Sequence, residues 1–171
     1  INIDQIDNLL YPRAGFLYDL SFEQSSEDYN YYLGSFKFDH YIPFFSNTRL
    51  KVYGDALFSD LESLGNNELI LKSINYIPYD RTLSFSQYDL FVNELTSYGI
   101  EFNIDYKNSL TFRLLYNTIN HAEFKHSETS LNNIGSYGFG MRVKSILGPF
   151  NFMWTRSDDM LFDKEKDNYF F

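Results

Sequence analysis

Histidine, serine and carboxylate side chains are the groups in this sequence that could carry out chemistry. The chain contains three histidines and no cysteine. His126, Ser127 and Glu128 stand next to one another, but a hydrolytic Ser–His–acid arrangement needs side chains that hydrogen-bond to each other. Neighbouring residues of an extended strand point to opposite faces. His126 and Ser127 are therefore predicted to be loop residues with no catalytic role.

A metal site is not predicted either. A structural or catalytic metal needs three or four converging ligands, whereas the sequence offers only isolated pairs, His121 with Glu123 and His40 with Asp39 or Asp55. Carboxylate oxygens that could bind a divalent cation occur near the end of the chain, although a solvated loop is the preferred interpretation; they belong to Asp158, Asp159 and Asp163. The sequence predicts no catalytic residue, no cofactor and no bound metal.

The composition indicates what kind of fold these residues belong to. The 171 residues include 18 Phe, 15 Tyr and one Trp, yet the formal net charge is -9 and the mean hydropathy is -0.35. An acidic chain is a poor ligand for nucleic acid, which requires clustered Lys and Arg. No run approaches the ~18 apolar residues of a transmembrane helix. Such aromatic richness with low hydropathy is typical of strands that carry aromatic girdles on one face and polar groups on the other.

Alternation of apolar and polar residues, the signature of β-strands, recurs along the chain. We predict seven strands from it, over residues 15–23, 29–42, 48–58, 98–106, 109–119, 136–146 and 150–158. Residues 60–96 lack a clean period and contain Pro78, so a further strand pair and a long loop both fit. Short turns are predicted at 106–109 and 147–149, and longer polar connections at 121–135 and 159–167.

The two faces of the predicted strands differ in chemistry. One face is aromatic and almost uncharged, as a lipid-facing surface would be; its predicted lipid-facing members are Phe16, Tyr18, Phe22, Phe36, Phe38, Phe102, Phe112, Phe139, Phe152 and Trp154. The other face has charges at mid-strand and suits a water-filled lumen; its predicted members are Asp19, Lys37, Arg49, Lys51, Glu101, Arg113, Arg142 and Lys144. A soluble sandwich or lipocalin-like barrel also alternates, but its inward apolar face favours Val, Ile and Leu over Phe and Tyr.

The predicted fold is therefore all-β, an antiparallel transmembrane β-barrel of eight to ten meander strands. Residues 1–10 are assigned to a linker or the end of a preceding domain, and residues 11–171 to the barrel. Eight strands can close into a small barrel. The alternative is half of a larger barrel, completed by upstream strands or by a second copy of the chain in a homodimer.

Two short stretches resemble a known family. Tyr11-Pro12-Arg13-Ala14-Gly15-Phe16 is similar to the "YPxxG" strand start of the Omp85 superfamily, the bacterial surface antigen family. Gly138-Phe139-Gly140-Met141-Arg142, followed by Leu147-Gly148-Pro149-Phe150, is similar to that family's penultimate hairpin. The Arg-Gly-[Tyr/Phe] loop motif of its insertases and transporters is absent from residues 60–96. The resemblance is therefore closest to the C-terminal barrel of patatin-like phospholipase autotransporters, the type Vd secretion proteins.

The resemblance implies a location for the chain, its partners, and which part of the full-length protein would be the enzyme. The location would be the bacterial outer membrane, and the partners would be its lipid, the barrel-assembly machinery and an upstream passenger domain. The C-terminal assembly signal would be carried by Tyr169 and Phe171, with a last strand that is either short or continued beyond Phe171. A lipase would need a Gly-x-Ser-x-Gly nucleophile elbow, which this sequence lacks, so the phospholipase would lie upstream and this chain would not be the enzyme.

The leading hypothesis is thus an anchoring and translocation barrel for an upstream passenger. The alternatives are a small porin or structural barrel, an Omp85-type assembly or transport fragment, and a barrel-embedded lipid hydrolase that uses His121 or His126. A soluble ligand-binding barrel is a further alternative, and behaviour without detergent separates it from the others.

Overall fold

The computed structural model contains β-strands throughout the part of the chain it describes. The described residues are 1–8, 12–25, 31–60, 92–107, 109–124, 130–146, 148–157 and 166–170. Nine strands lie within them: β1 (Asn2–Asp4), β2 (Gly15–Ser25), β3 (Tyr31–Phe45), β4 (Thr48–Asp60), β5 (Val92–Tyr106), β6 (Leu110–Phe124), β7 (Ser130–Ser145), β8 (Gly148–Ser157) and β9 (Lys166–Phe170). Across these same ranges, no helix has the length and apolar character needed to cross a membrane.

The nine strands form one sheet in chain order, and each strand pairs antiparallel with its sequence neighbours. Among the described residues no ladder joins β1 to β9, so the sheet is open and these two strands form its edges. The predicted all-β antiparallel meander is confirmed. All seven predicted strands are present, and the described part of residues 11–171 contains eight strands, β2 to β9. Asn2–Asp4 also pair with β2 as β1.

The prediction of a long polar connection over 121–135 was wrong. β6 continues to Phe124 and β7 begins at Ser130. The alternation is hard to recognise there because an extra residue, Asn120, lies between the pairs Ser97–Ile119 and Thr96–His121. Ala122 and Ile134 are buried in this stretch, as is Ile119 just before it, and this burial holds the stretch in the sheet despite its polar sequence. The predicted connection at 159–167 mostly lies outside the described residues; its last two positions begin β9.

The connections separate the two ends of the sheet. Those at 46–47, 107–109 and 146–147 all lie at one end, which we call the turn end. The last residues of β2, β4, β6 and β8 and the first residues of β3, β5, β7 and β9 lie at the opposite end, which we call the loop end; the residues that connect these strands are outside the described ranges. Residues 61–91 include most of the weakly patterned region, which therefore lies outside the described residues. Short connections at one end and longer ones at the other are the arrangement found in outer-membrane barrels.

The buried face of the sheet is its polar face. Arg49, Lys51, Glu101 and Arg113 are each less than a tenth exposed. Phe112 and Phe139, on the opposite face, are 47% and 56% exposed. A flat single sheet leaves both faces open to solvent, so burial of one face means that the sheet curves around it. We call the concave polar face the inner face and the convex aromatic face the outer face.

Candidate functional site: a charged inner face and an aromatic outer face

The centre of the inner face is an ion pair between β5 and β6. The Arg113 Nε atom donates a 2.6 Å hydrogen bond to Oε1 of Glu101, and both side chains are almost completely buried. Both side chains lie on the inner face. Arg113 is two residues from buried Leu115 on β6, and Glu101 on β5 is the register partner of Leu115. A buried charge without a partner is costly. This pairing explains how charges can lie in the middle of long strands.

A second charged cluster lies toward the turn end. The Arg49 guanidinium contacts Oδ2 of Asp105 at 2.6 Å, and the Thr111 hydroxyl donates to the other carboxylate oxygen at 2.7 Å. Arg13, which precedes β2, reaches the same carboxylate at 3.5 Å and also donates to the carbonyl of Ser46. Because β2 and β5 are three strands apart, this contact ties the start of β2 to the sheet centre.

Lys51 on the inner face contacts a carboxylate and two tyrosine rings. The Lys51 ammonium is 3.4 Å from the Asp39 carboxylate and also lies over the rings of Tyr53 and Tyr41, at 5.0 and 5.6 Å from their centroids. Cation–π contacts of this kind stabilise an ammonium that is partly removed from water.

The remaining predicted lumen charges share this face. The Arg142 Nε atom donates to the amide oxygen of Asn151 at 2.7 Å. Asp19 and Lys37 pair in register and are half-buried, and Lys144 is exposed near the turn end. All eight residues predicted from the sequence to line a lumen therefore belong to one face of the sheet.

The outer face carries the predicted lipid-facing aromatics, several of them in contact with one another. The Phe139 and Trp154 rings are 5.1 Å apart, and the Phe16 and Tyr18 rings are 5.3 Å apart. Phe22, Phe36, Phe112, Phe139 and Phe152 count among the exposed large hydrophobics. The other five are half-exposed: Phe16, Tyr18, Phe38, Phe102 and Trp154. An exposed apolar surface of this extent marks an interaction with another protein or a membrane.

A row of aromatic residues marks the loop-end border of this apolar face. On each strand from β2 to β8, the last apolar outer-face side chain before the loop end is aromatic; in order they are Phe22, Tyr32, Phe58, Tyr98, Tyr116, Tyr137 and Trp154. Polar residues follow on the outer face, for example Thr96 on β5 and Arg156 on β8. Sequence reasoning missed Tyr98, Tyr116 and Tyr137 as a set, because the row becomes apparent only when the registers are known. We call these seven residues the aromatic border.

The aromatic border runs obliquely across the strands. Through successive registers, Phe22 of β2 lies level with Glu94 of β5, and Trp154 of β8 lies level with Phe102 of β5. Positions 94 and 102 are about 26 Å apart along an extended strand, and six strand spacings measure about 29 Å. Measured between these two ends, the border is inclined by about 40° to the direction across the strands, which is close to the 35–45° tilt of strands in barrels.

The segment before β2 explains part of the Tyr11–Phe16 motif. Tyr11 is outside the described residues, but Gly15 has a φ of +111°, and a Cβ there would be 2.1 Å from the carbonyl oxygen of Gln5. The Asp7 carboxylate accepts hydrogen bonds from the backbone N–H groups of Arg13 and Ala14, at 2.8 and 3.2 Å. These bonds, led by that from Arg13, lower the pKa of the Asp7 carboxyl below its ordinary value. The motif is therefore a tight entry into β2 that only glycine accommodates.

Tyr169 and His40 are described, and they lie on different strands. Tyr169 lies in β9 and pairs in register with Trp154, whereas Phe171 is outside the described residues. His126 is also outside them. His40 is on the outer face, with its ring 6.2 Å from that of Phe16.

His121 is not isolated, contrary to the impression given by the sequence. Its imidazole converges with the carboxylates of Glu94 and Glu123 near the loop end. Sequence reasoning missed this cluster because Glu94 lies on another strand and the extra residue Asn120 changes which side chains share a face. No family model matches the chain, and no curated protein is significantly similar to it.

Proposed function

We propose that this chain is a transmembrane β-barrel segment of the bacterial outer membrane, which anchors an upstream passenger and assists its export. The observation that carries the proposal is the inverted distribution of side chains. Buried ion pairs such as Glu101–Arg113 lie on the inner face, and large apolar side chains such as Phe139 are exposed on the outer face. In water this arrangement would leave the apolar face uncovered, whereas a bilayer covers it.

The aromatic border supports the same proposal independently. Tyr and Trp side chains concentrate where a membrane meets water, because one part of the ring system is apolar and the other forms hydrogen bonds. Measured between its two ends, the border is inclined by about 40° to the direction across the strands, which is close to the strand tilt of membrane barrels. A soluble sheet has no physical reason to end the apolar face of every strand on an aromatic residue.

The passenger part of the proposal depends on the family resemblance. The Tyr11–Phe16 and Gly138–Phe150 stretches resemble the barrels of patatin-like phospholipase autotransporters, and the tight strand entry at Gly15 gives a physical role to the first of them. Under this proposal the barrel-assembly machinery inserts the chain, and the sheet is completed at its β1 and β9 edges by upstream strands or by a second copy.

Insertion into lipid vesicles tests the membrane proposal. The full chain is diluted from urea into phosphatidylcholine vesicles or into buffer alone, and both samples are floated on a density gradient. We expect the protein to float with the vesicles, to resist extraction by urea, and to show a β-sheet circular dichroism spectrum only with lipid. A monodisperse, folded β-protein in buffer alone would overturn the proposal.

The coding sequence upstream of Ile1 tests the passenger separately. We expect it to encode an α/β domain with a Gly-x-Ser-x-Gly motif. An upstream frame without such a domain would reject the autotransporter role and leave the membrane barrel intact.

A small porin is the second candidate function, because the inner face carries charged residues at mid-strand. Steady ion conductance of the purified chain in a planar bilayer would favour it over the anchor. An anchor whose inner face is closed by paired charges is expected to conduct little.

A further inference from the structure

We propose that Glu94, His121 and Glu123 bind a divalent transition-metal ion on the outer face at the loop end. One ligand atom from each residue lies within 4.8 Å of the others. A single Nε2 atom and two carboxylate oxygens are ligands that Zn²⁺ accepts, leaving a fourth position for water. The ligand atoms have to move together by about 1 Å, which surface glutamate rotamers allow.

The register of β5 and β6 builds this cluster. Glu94 on β5 pairs with Glu123 on β6, and Thr96 pairs with His121 one step closer to the sheet centre. Asn117 and Ile119 of β6 are buried on the inner face, so strict alternation would also direct His121 inward. The extra residue Asn120 shifts the alternation by one position. His121 and Glu123 therefore reach the outer face beside Glu94.

The neighbouring strand β7 orients the imidazole. The His121 Nδ1 atom is 3.1 Å from the amide oxygen of Asn132, its register partner. When Nδ1–H donates to this oxygen, the lone pair is on Nε2, which lies 3.7 Å from Oε2 of Glu94. Metal-bound histidines typically donate their second ring nitrogen to a carbonyl or carboxylate in this way. Asn133, adjacent to Asn132, adopts a left-handed φ of +57° that accompanies the irregularity in β6.

Electrostatics gives the cluster a reason to bind a cation. Two carboxylates at this separation repel each other. A divalent ion cancels both charges, and the site lies beyond Tyr98 and Tyr116 of the aromatic border, on the side where polar residues occupy the outer face. This inference does not depend on the proposed membrane function, since the same three side chains would converge in a soluble sheet.

Isothermal titration of the folded full chain with ZnCl₂ tests the site. We expect one binding event, and an increase in Kd of tenfold or more in each of the variants Glu94→Gln, Glu123→Gln and His121→Ala. Asn132→Ala is expected to raise Kd by about tenfold, because it releases the imidazole without removing a ligand. Glu23→Gln, an exposed glutamate on β2, serves as the matched control and should leave Kd unchanged.

The glutamine variants keep side-chain size, and circular dichroism of each variant confirms that the fold is intact. A folded wild-type chain that does not bind Zn²⁺ would overturn the proposal. Binding that is the same in Glu94→Gln and Glu123→Gln as in the wild-type chain would also overturn it. As a second measurement, the visible absorption spectrum of bound Co²⁺ should change in His121→Ala, because an imidazole nitrogen is lost from the ion.

Discussion

At the scale of single residues, the inner face carries charges in the middle of long strands. Glu101 and Arg113 form a close pair, and Asp105 is held by Arg49 and Thr111. Each contact joins neighbouring strands or a strand and a turn, so the charges also fix the register. A charged residue on this face is therefore best understood together with its partner, and substitutions should be tested in pairs.

The Glu101–Arg113 pair gives the first prediction. We expect Glu101→Gln to lower the free energy of unfolding by about 2–4 kcal/mol, because it leaves the Arg113 guanidinium buried without its main carboxylate partner. The double variant Glu101→Gln/Arg113→Gln should be less destabilised than the sum of the single variants, with a coupling of about 1–3 kcal/mol. Urea unfolding of the folded chain, followed by Trp154 fluorescence, measures all three.

Gln24→Ala is the control for this cycle, since a substitution at an exposed position of β2 should change stability by less than about 0.5 kcal/mol. Additive effects of the two single substitutions would contradict the pairing.

The Asp7 carboxyl gives a prediction about pH. Its pKa is lowered in the folded protein by the backbone N–H of Arg13. The stabilisation is therefore fully present above the ordinary value of 3.8 and is lost as the pH falls through the lower, folded pKa. We expect the amide signals of Arg13 and Ala14 in an NMR titration to shift as Asp7 is protonated, with a midpoint below 3.8. Asp7→Asn should abolish the shift; a midpoint at or above 3.8 would contradict this account.

At the scale of elements, strand existence could be predicted from the sequence and strand extent could not. Alternation of large apolar and polar side chains identifies β2 to β8, because one-sided burial imposes a period of two. The same reasoning failed over 121–135, where Asn120 breaks the period and polar residues such as Asn132 occupy both faces. Alternation also cannot reveal partners that register brings together, and for that reason the Glu94–His121–Glu123 cluster was missed.

The element-scale prediction compares the cost of an arginine at two positions on the outer face, one within the apolar face and one beyond the aromatic border. Phe112 lies within the apolar face of β6, whereas Thr96 of β5 lies beyond the aromatic border. We expect Phe112→Arg to cost about 2–4 kcal/mol in a bilayer, and Thr96→Arg about 0–1 kcal/mol, because the cost of a charge falls from the bilayer centre to its surface. Equilibrium folding into phosphatidylcholine vesicles measures both.

If the outer face contacted water, both arginine variants should behave as ordinary surface substitutions. Each would then change stability by less than about 0.5 kcal/mol. Equal, small effects of Phe112→Arg and Thr96→Arg would therefore contradict the assignment of the outer face to lipid.

At the scale of the whole molecule, the sheet formed by the described strands is open, and its faces are inverted relative to a soluble protein. Its paired charges lie in the concavity and its aromatic residues lie on the convex surface. Alternation, together with a composition in which a fifth of the residues are aromatic at net charge -9, was sufficient to predict which side chains share each face. Barrel closure could not be predicted, since it depends on which strands pair with β1 and β9, and the residues of an edge strand do not specify their partner.

The position of Trp154 tests the membrane assignment most directly. It is the single tryptophan of the chain, lies on the aromatic border, and is packed against Phe139 and Tyr137. We expect its fluorescence in vesicles to be quenched by spin-labelled lipids, more strongly by a label near the headgroup than by one at the end of the acyl chain, and only weakly by aqueous iodide. Strong quenching by iodide with no quenching by either lipid label would place this face in water and contradict the account.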